Sequence, residues 1–482
     1  MDTDMTEDMI DVLVIGSGAA GLAAAISAVE AGARSVVVAE SEAVVGGSSR
    51  LSGGLVMGAG SRFQKAAGID DSADLMFADY MALNYWDVDP GPVRRLAERS
   101  GATVDWVADL GVRFFDDLVF GGGESQPRVH VPDGGGQHVI DVLLSTCRRS
   151  DSIDIALGLR VDRLLVENRR VVGAAIADDE IRAGAVVVAT GGFGANEALL
   201  AQHFPSAGKV PGAWYIGADG SRGDAIEWAS DVTAQMAGDN RGLRLLDPGF
   251  VRELEAFLPG WLLMVDSTGR RFASEISPYG ILDRLMEDRG DRAWMLFDSS
   301  KLEPAAGPTR YKHQLPGWKN RRSTNWGSDM LQEQVGAGRV MTADTVEELA
   351  QRLGLPAPEL AGTVRRYNEF ARNGEDIDYE KSAEFLDALD TPPFCAVEVR
   401  PRTVCWTGYG VRIDRDARVL DQTGGVVPGL YAAGEVTGGV LGRTYVGSGN
   451  AYANCLVFGR VAGASAAALS LTDEVGAARP QS

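Results

Sequence analysis

Cysteine and histidine are scarce, four of each in 482 residues. Cys147, Cys395, Cys405 and Cys455 form no CxxC pair, which excludes a disulfide framework and a cysteine-built zinc site and fits reduced thiols in a cytosol. His130, His138, His203 and His313 show no HExxH spacing, so no metal centre is expected. No CxxCH haem attachment or iron–sulfur cysteine set is present, so any electron donor or acceptor would be external. Basic residues are outnumbered, 46 against 67 acidic, giving a net charge of −21. That balance argues against nucleic acid or an anionic membrane surface as the main partner. No uninterrupted apolar run approaches the roughly 18 residues of a membrane span. The first residues, MDTDMTEDM, are acidic where an export signal is basic. The expectation is a soluble cytoplasmic protein.

Glycine is what the chain has in quantity, 60 residues, and much of it sits in loops after apolar strands. IDVLVI (10–15) reads as a buried strand, GSGAAG follows it, and an alanine-rich helix runs on to about Ala31. SVVVAE (35–40) is a second strand. Similar punctuation returns at AGAVVVATGGFGANEALL (183–200) and GLYAAGEVTGG (429–439), the latter leading to a terminal helix at roughly 450–470. The middle of the chain lacks this texture. There, PELAGTVRRYNEFARNG (358–374) carries Leu360, Val364 and Tyr367 at helical spacing. The expected organisation is an α/β domain with a parallel sheet, built from 1–237 and 399–482 and interrupted by an inserted α+β capping domain at 238–398.

The first glycine loop has a specific chemistry. Gly16, Gly18 and Gly21 form G-x-G-x-x-G between a strand and a helix, with Glu40 closing the next strand. In such a Rossmann-type turn, Gly16 allows the tight bend, Gly18 lets backbone approach a pyrophosphate, and Gly21 permits close helix–strand packing. Ser17, Ala19 and Ala20 complete the loop at a helix N-terminus suited to phosphate. Glu40, followed by Ser41, would accept hydrogen bonds from an adenosine ribose. A second glycine loop, VVGGSSRLSGG (44–54), supplies Gly46, Gly47, Ser48, Ser49, Ser52, Gly53 and Gly54. The third brings Ala189, Thr190, Gly191 and Asn196, and the fourth Gly434 and Glu435. Four loops around one long ligand favour FAD over NAD.

Taken together, VIGSGAAGLAAA, GGSSRLSGG, ATGGFGANE, GDAIEWA (223–229) and YAAGEVTGGV…GSGNAYANCLVFGRVAG resemble the flavoprotein family of fumarate reductases and succinate dehydrogenases. The resemblance spans nearly the whole chain and implies an FAD domain interrupted by a mobile cap, with the active site between them. It implies cofactor contacts from Val161, from Gly223 and Asp224 at the start of a helix, and from Asn450. It also places Glu435 along the flavin chain and backbone groups of Ala451 and Tyr452 near its ring. Relatives with covalent flavin carry a histidine where this chain has Ser48 and Ser49, so the resemblance implies non-covalent FAD.

The residues with which fumarate reductases grip a dicarboxylate are replaced. Tyr279, in GRRFASEISPYG (269–280), stands where the family places a catalytic arginine, and Tyr445, in GRTYVGSGNA (442–451), where it places a carboxylate-binding one. Trp406 replaces a histidine. SPYG and TYVGSG resemble instead the 3-ketosteroid Δ1-dehydrogenase branch, in which two tyrosines and a loop glycine activate a ring ketone. Independently of any family, a C–H beside a carbonyl becomes acidic only when donors stabilise the enolate oxygen. The Tyr445 phenol and the Gly449 N–H would be those donors. Tyr279 would take the α-proton and the flavin would accept hydride from the β-carbon. A phenol of reference pKa about 10 needs activation to serve as base, and no activating partner is legible.

That branch adds a third tyrosine, whereas VRFFDDLVFGGGESQPRVHVP (112–132) offers Phe114, Phe115 and Phe120. Tyr409 either supplies the missing hydroxyl or narrows the pocket. Phe115, Phe120, Trp406, Tyr409 and Arg443 are the expected substrate contacts. Arg50 and Arg244 are further candidates for a carboxylated substrate, and Trp214, Trp261, Trp318 and Trp326 for an apolar wall. The expected function is desaturation of a cyclic ketone, either a 3-ketosteroid or a smaller ring such as 4-oxocyclohexanecarboxylate. An ene reductase and a non-catalytic flavin-binding protein are the alternatives.

Overall fold

The protein is described here from a computed structural model covering residues 9–253, 258–303 and 324–477. His313 and Trp318 lie outside the described residues. The chain divides into two compact units, Met1–Pro205 with Gly217–Gly242 and Cys405–Ser482, and Ser206–Ile216 with Leu243–Val404.

In the first unit the buried run Ile10–Ile15 sits at the heart of an eight-stranded sheet. Five strands run parallel in the order Val426–Ala432, Asp179–Val188, Ile10–Ile15, Val36–Glu40 and Ile153–Leu157. A strand from near the end of the chain thus lies beside the Asp179–Val188 strand, which explains why parallel-sheet texture appears at both ends of the sequence. The terminal helix, Asn450–Ala477, is longer than its sequence pattern indicates. By length and composition it contains a stretch, Asn450–Leu471, apolar enough to cross a bilayer, although no single apolar run predicts this. That stretch is 56 % buried over its apolar window. It lies against the Ala19–Glu30 helix so closely that a Cβ on Gly459 would stand 2.3 Å from the Ala20 carbonyl oxygen, and one on Gly463 2.0 Å from that of Ala24.

The second unit is built on a sheet ordered Gly242–Asp247, Phe394–Thr407, Ala293–Asp298 and Leu263–Val265. Alternation separates two cores, because successive strand side chains point to opposite faces. Leu262, Met264, Met295 and Phe297 enter one cluster, and Leu263, Val265, Trp294 and Leu296 the other. The helix Ala357–Asn373 buries Leu360, Val364 and Tyr367 in the second cluster, the stripe its spacing predicts, and ends at Gly374 in the left-handed region. Trp261 and Trp326 are core residues of the first cluster. Trp214 is half-buried, with the Arg252 guanidinium 5.5 Å from its ring centroid.

The unit boundaries at 242/243 and 404/405 fall a few residues beyond 237/238 and 398/399. The Gly238 turn holds its segment to the first unit, since a Cβ there would meet the Gly408 carbonyl oxygen at 1.9 Å. Ser206–Ile216 joins the second unit, which the sequence does not predict, through parallel pairing of Trp214–Tyr215 with Thr403–Val404.

Candidate active site

The first unit contains a cleft enclosing about 750 Å³ of non-protein space, open solvent at its mouth included. Its floor is the loop between the Ile10–Ile15 strand and the following helix, and the three motif glycines are there for three different reasons. Gly16 has φ +104°, and a Cβ on it would stand 2.4 Å from the Ala189 carbonyl oxygen. A Cβ on Gly21 would meet the Gly16 carbonyl oxygen at 1.9 Å. Gly18 is different. The nearest protein atom to a Cβ there is Ser49 Oγ at 3.6 Å, ordinary contact, so internal packing does not demand glycine. Gly18 lines the cleft at the N-cap of a 12-residue helix and has no side chain to cap it; Ser49 Oγ takes the Ala19 N–H, and the rest of the first turn is left as a cradle for an anionic ligand.

Glu40 is buried at the cleft wall and accepts hydrogen bonds from the Ser17 N–H at 2.9 Å, the Ser17 hydroxyl at 2.5 Å and the Glu42 N–H at 2.8 Å. It therefore braces the phosphate loop as well as edging the cleft. Ser49 Oγ accepts the Ala19 N–H at 3.1 Å, and Ser48 Oγ accepts the Ala218 N–H at 3.0 Å. Ala20, Ser41, Gly47, Val161, Ala189, Thr190, Gly191, Asp224 and Gly434 also line the cleft. Glu435, half-buried there, accepts the Thr407 N–H at 2.9 Å and its hydroxyl at 3.0 Å. Burial outweighs those bonds and pushes its carboxyl up to about 7. Asp224, held by Arg160, is also raised by burial.

Several expected cofactor residues do not line this cleft. Gly46 gives its N–H to Ser17 Oγ, and a Cβ on it would press on Ile140. Ser52 caps the turn at Gly54, whose Cβ would stand 2.5 Å from the Gly136 nitrogen, so Ser52, Gly53 and Gly54 seat the neighbouring helix. Asn196 caps the Glu197–His203 helix, and Gly223 packs against Leu199 and Phe193. Glycine demanded by packing and glycine demanded by a ligand look alike in sequence. Conversely, Glu42, Leu159, Arg160 and Ser221 line the cleft without a motif to announce them, and Cys455 lines it from within the GSGNAYANCLVFGRVAG stretch.

Tyr445, Trp406, Gly449 and the start of the terminal helix come together in the first unit. The Tyr445 hydroxyl accepts the Ala451 N–H at 3.0 Å, and its ring lies 5.8 Å from that of Trp406. Ala451 N–H is therefore engaged by Tyr445 and not turned to a ligand. Burial raises the Tyr445 phenol above its ordinary value and keeps it protonated. Gly449 has φ +84°, and a Cβ on it would stand 2.8 Å from the Met57 nitrogen, so the turn also has a packing reason to be glycine. Around this corner several buried polar atoms have no hydrogen-bond partner among the described residues: Thr190 Oγ1, Trp406 Nε1, Asn450 Oδ1, the Tyr452 hydroxyl and Asn454 Oδ1. Buried polar groups are nearly always satisfied, and such a cluster fits a polar ring system like isoalloxazine.

The other substrate candidates fare differently. Tyr409 stacks on His203, centroids 3.9 Å apart and planes 6° from parallel, with Asp239 Oδ1 3.5 Å from His203 Nδ1. Phe115 is half-buried, Phe120 is 45 % exposed and Arg443 is exposed. Arg50 is half-buried in the short Gly47–Leu51 helix. In the second unit, Tyr279 is half-buried at the first position of the Tyr279–Glu287 helix. Arg244 is fully buried among acidic side chains and is not a free cation for a substrate. Among the described residues no group of three or more His, Cys, Asp or Glu could hold a metal.

A family model described as an FAD binding domain matches residues 11–451. A fumarate reductase (cytochrome) of Shewanella frigidimarina is 33 % identical over 473 residues, 96 % of this chain and 78 % of that protein. The structure of 3-ketosteroid-Δ4-(5α)-dehydrogenase from Rhodococcus jostii RHA1, in complex with 4-androstene-3,17-dione, superposes with a TM-score of 0.78 at 28 % identity, covering 97 % of this chain and 99 % of that one. That of 3-ketosteroid Δ1-dehydrogenase from Sterolibacterium denitrificans gives 0.77 at 21 % identity over 95 % and 99 %, a likeness of fold.

Proposed function

This chain belongs to the FAD-binding flavoprotein family that includes the fumarate reductases and is an FAD-dependent oxidoreductase acting on CH–CH groups, and we propose that it desaturates a cyclic ketone α,β to the carbonyl. The observation that carries this reading is Tyr445: a buried phenol, kept protonated, taking an N–H at the start of a long helix where the family places an arginine. A protonated phenol donates to a ketone oxygen, whereas a dicarboxylate calls for cations. Gly449 N–H is the second donor. Stabilising the developing enolate in this way contributes about 3–4 kcal/mol per donor. Trp406 gives the ring an apolar wall, and Tyr279 takes the α-proton as its phenolate, having first given up its own proton. The glycine loops would hold FAD non-covalently, and bound FAD would supply the hydride acceptor for the β-carbon, with an external acceptor needed to take the electrons on.

The substrate class is a 3-ketosteroid or a smaller alicyclic ketone. The Rhodococcus enzyme's steroid complex supports the first. A reductase running the same steps backwards is the second reading, favoured by the 33 % identical fumarate reductase. The test is an anaerobic titration of the purified yellow protein with a saturated 3-ketosteroid and, separately, with 4-oxocyclohexanecarboxylate. Bleaching of the flavin band by one of them is expected and assigns ring size. No bleaching by either, with reoxidation of pre-reduced enzyme by the corresponding enone, turns the assignment to the reductase.

A further inference from the structure

The Tyr445–Gly449 loop is held from one side by a distant segment, Gly121–Glu124. Gly122 and Gly447 form an antiparallel bridge. Gly123 donates its N–H to the Val446 carbonyl oxygen at 2.9 Å, and Ser448 donates to that of Gly121 at 2.9 Å. The contact tolerates no side chain: a Cβ on Gly122 would stand 2.1 Å from the Val446 oxygen, and one on Gly121 2.7 Å from the Ser448 nitrogen. Beyond the glycines the segment is fixed by Arg128, which is fully buried. Its guanidinium meets Asp71 at 2.7 and 2.8 Å and Asp79 at 2.5 Å. Asp79 also accepts the Ser125 N–H and hydroxyl.

Glu124 lies between strap and clamp and is 5 % exposed. One carboxyl oxygen accepts the Gly121 N–H. The other is 2.9 Å from where a Gly447 Cβ would stand and has no hydrogen-bond partner among the described residues. Among the described residues the charge acting most strongly on this carboxyl is Arg128, already committed to Asp71 and Asp79, and the N–H groups of Gly121, Gly122 and Glu124 itself also act on it. Burial outweighs all of them and raises the carboxyl above its ordinary range. An ionised carboxylate there would be relieved by moving toward water, taking Gly121 and the paired loop with it.

We propose that Glu124 is a positioning residue for Tyr445, and that it seats the Tyr445–Gly449 loop only while uncharged. The inference rests on Tyr445 as the ketone donor, so its test includes a signal independent of turnover. FAD-loaded wild type and Glu124→Gln are compared between pH 5 and 10 for kcat and KM with the ketone. In parallel, 19F NMR follows 5-fluorotryptophan at Trp406, assigned with Trp406→Phe, whose ring adjoins Tyr445. In wild type, kcat is expected to fall as pH rises through the range in which Glu124 ionises, with KM little changed, and the Trp406 resonance to titrate with it. Glu124→Gln, uncharged throughout, is expected to lose both pH dependences. Gly122→Ala is expected to shift the resonance at every pH and lower kcat at least tenfold with FAD retained. A wild-type resonance that does not titrate, or a titration that persists in Glu124→Gln, overturns the proposal. If no ketone turns over while the resonance titrates only in wild type, the ketone reading fails and the role of Glu124 stands.

Discussion

The Tyr445 hydroxyl accepts the Ala451 N–H at 3.0 Å in the first turn of the terminal helix. The positive end of that helix is thereby joined to a phenol whose burial keeps it protonated, which is the state an oxyanion donor needs. Tyr445→Phe removes the donor and leaves the glycine loops intact. Turnover is expected to fall about 10²–10³-fold, the range for loss of one oxyanion donor, with the flavin-to-protein ratio unchanged. Rapid-scan absorbance of the reductive half-reaction measures both in one experiment.

Gly18 and Gly21 separate ligand contact from packing. Gly18→Ala meets no protein atom closer than 3.6 Å. The apoprotein should keep its melting temperature while FAD affinity falls at least about tenfold, or ~1.4 kcal/mol. Gly21→Ala puts a methyl 1.9 Å from the Gly16 carbonyl oxygen, so the fold itself should suffer. Overpacking of this kind costs roughly 1–3 kcal/mol or more. Calorimetry of apoprotein and fluorimetric FAD titration distinguish the two.

Glu435 ties the stability of the apoprotein to pH. Its folded value near 7 lies above the ordinary carboxylate value, so the fold binds the proton more tightly than the unfolded chain. The stability from that preference is complete below about pH 4.5 and is lost as pH rises through about 7. Glu435→Gln should therefore be more stable than wild-type apoprotein at pH 8, by ~1–3 kcal/mol after allowance for partial exposure, and nearly equal to it at pH 4.5. Equal melting temperatures at pH 8 would remove desolvation as the cause.

The dinucleotide floor was legible because its glycines sit in a fixed local spacing between strand and helix, with Glu40 at the end of the next strand. Where glycines have a packing reason, as at Gly54 and Gly223, the letters do not separate packing from ligand contact. Leu159 and Arg160 reach the cleft on a segment outside the quoted motifs, and no local pattern marks them. The strap at Gly121–Glu124 pairs with residues more than 300 positions away, so its glycines read only as a loop. Tyr409 shows the same limit. Its stacking partner His203 was not readable, since contact between rings far apart in sequence leaves no spacing to find.

Arg244 illustrates how a buried charge is assigned by its partners. Its backbone N–H and Nε bond the two Asp283 oxygens at 3.0 and 2.8 Å, and Nη1 reaches the Ser206 carbonyl oxygen at 2.8 Å. Asp291 lies 3.0 Å away and Glu287 3.5 Å. This one side chain fastens the Tyr279–Glu287 helix, the following turn and the Ser206 segment to the Gly242–Asp247 strand. Arg244→Ala strands three carboxylates around a vacated buried site, and breaking such a set typically costs about 3–5 kcal/mol. The expected result is a lower denaturant midpoint, with KM for a carboxylated ketone unchanged in whatever fraction stays folded. A selective rise in that KM at unchanged stability would instead make Arg244 a substrate cation, which its full burial among three acids argues against.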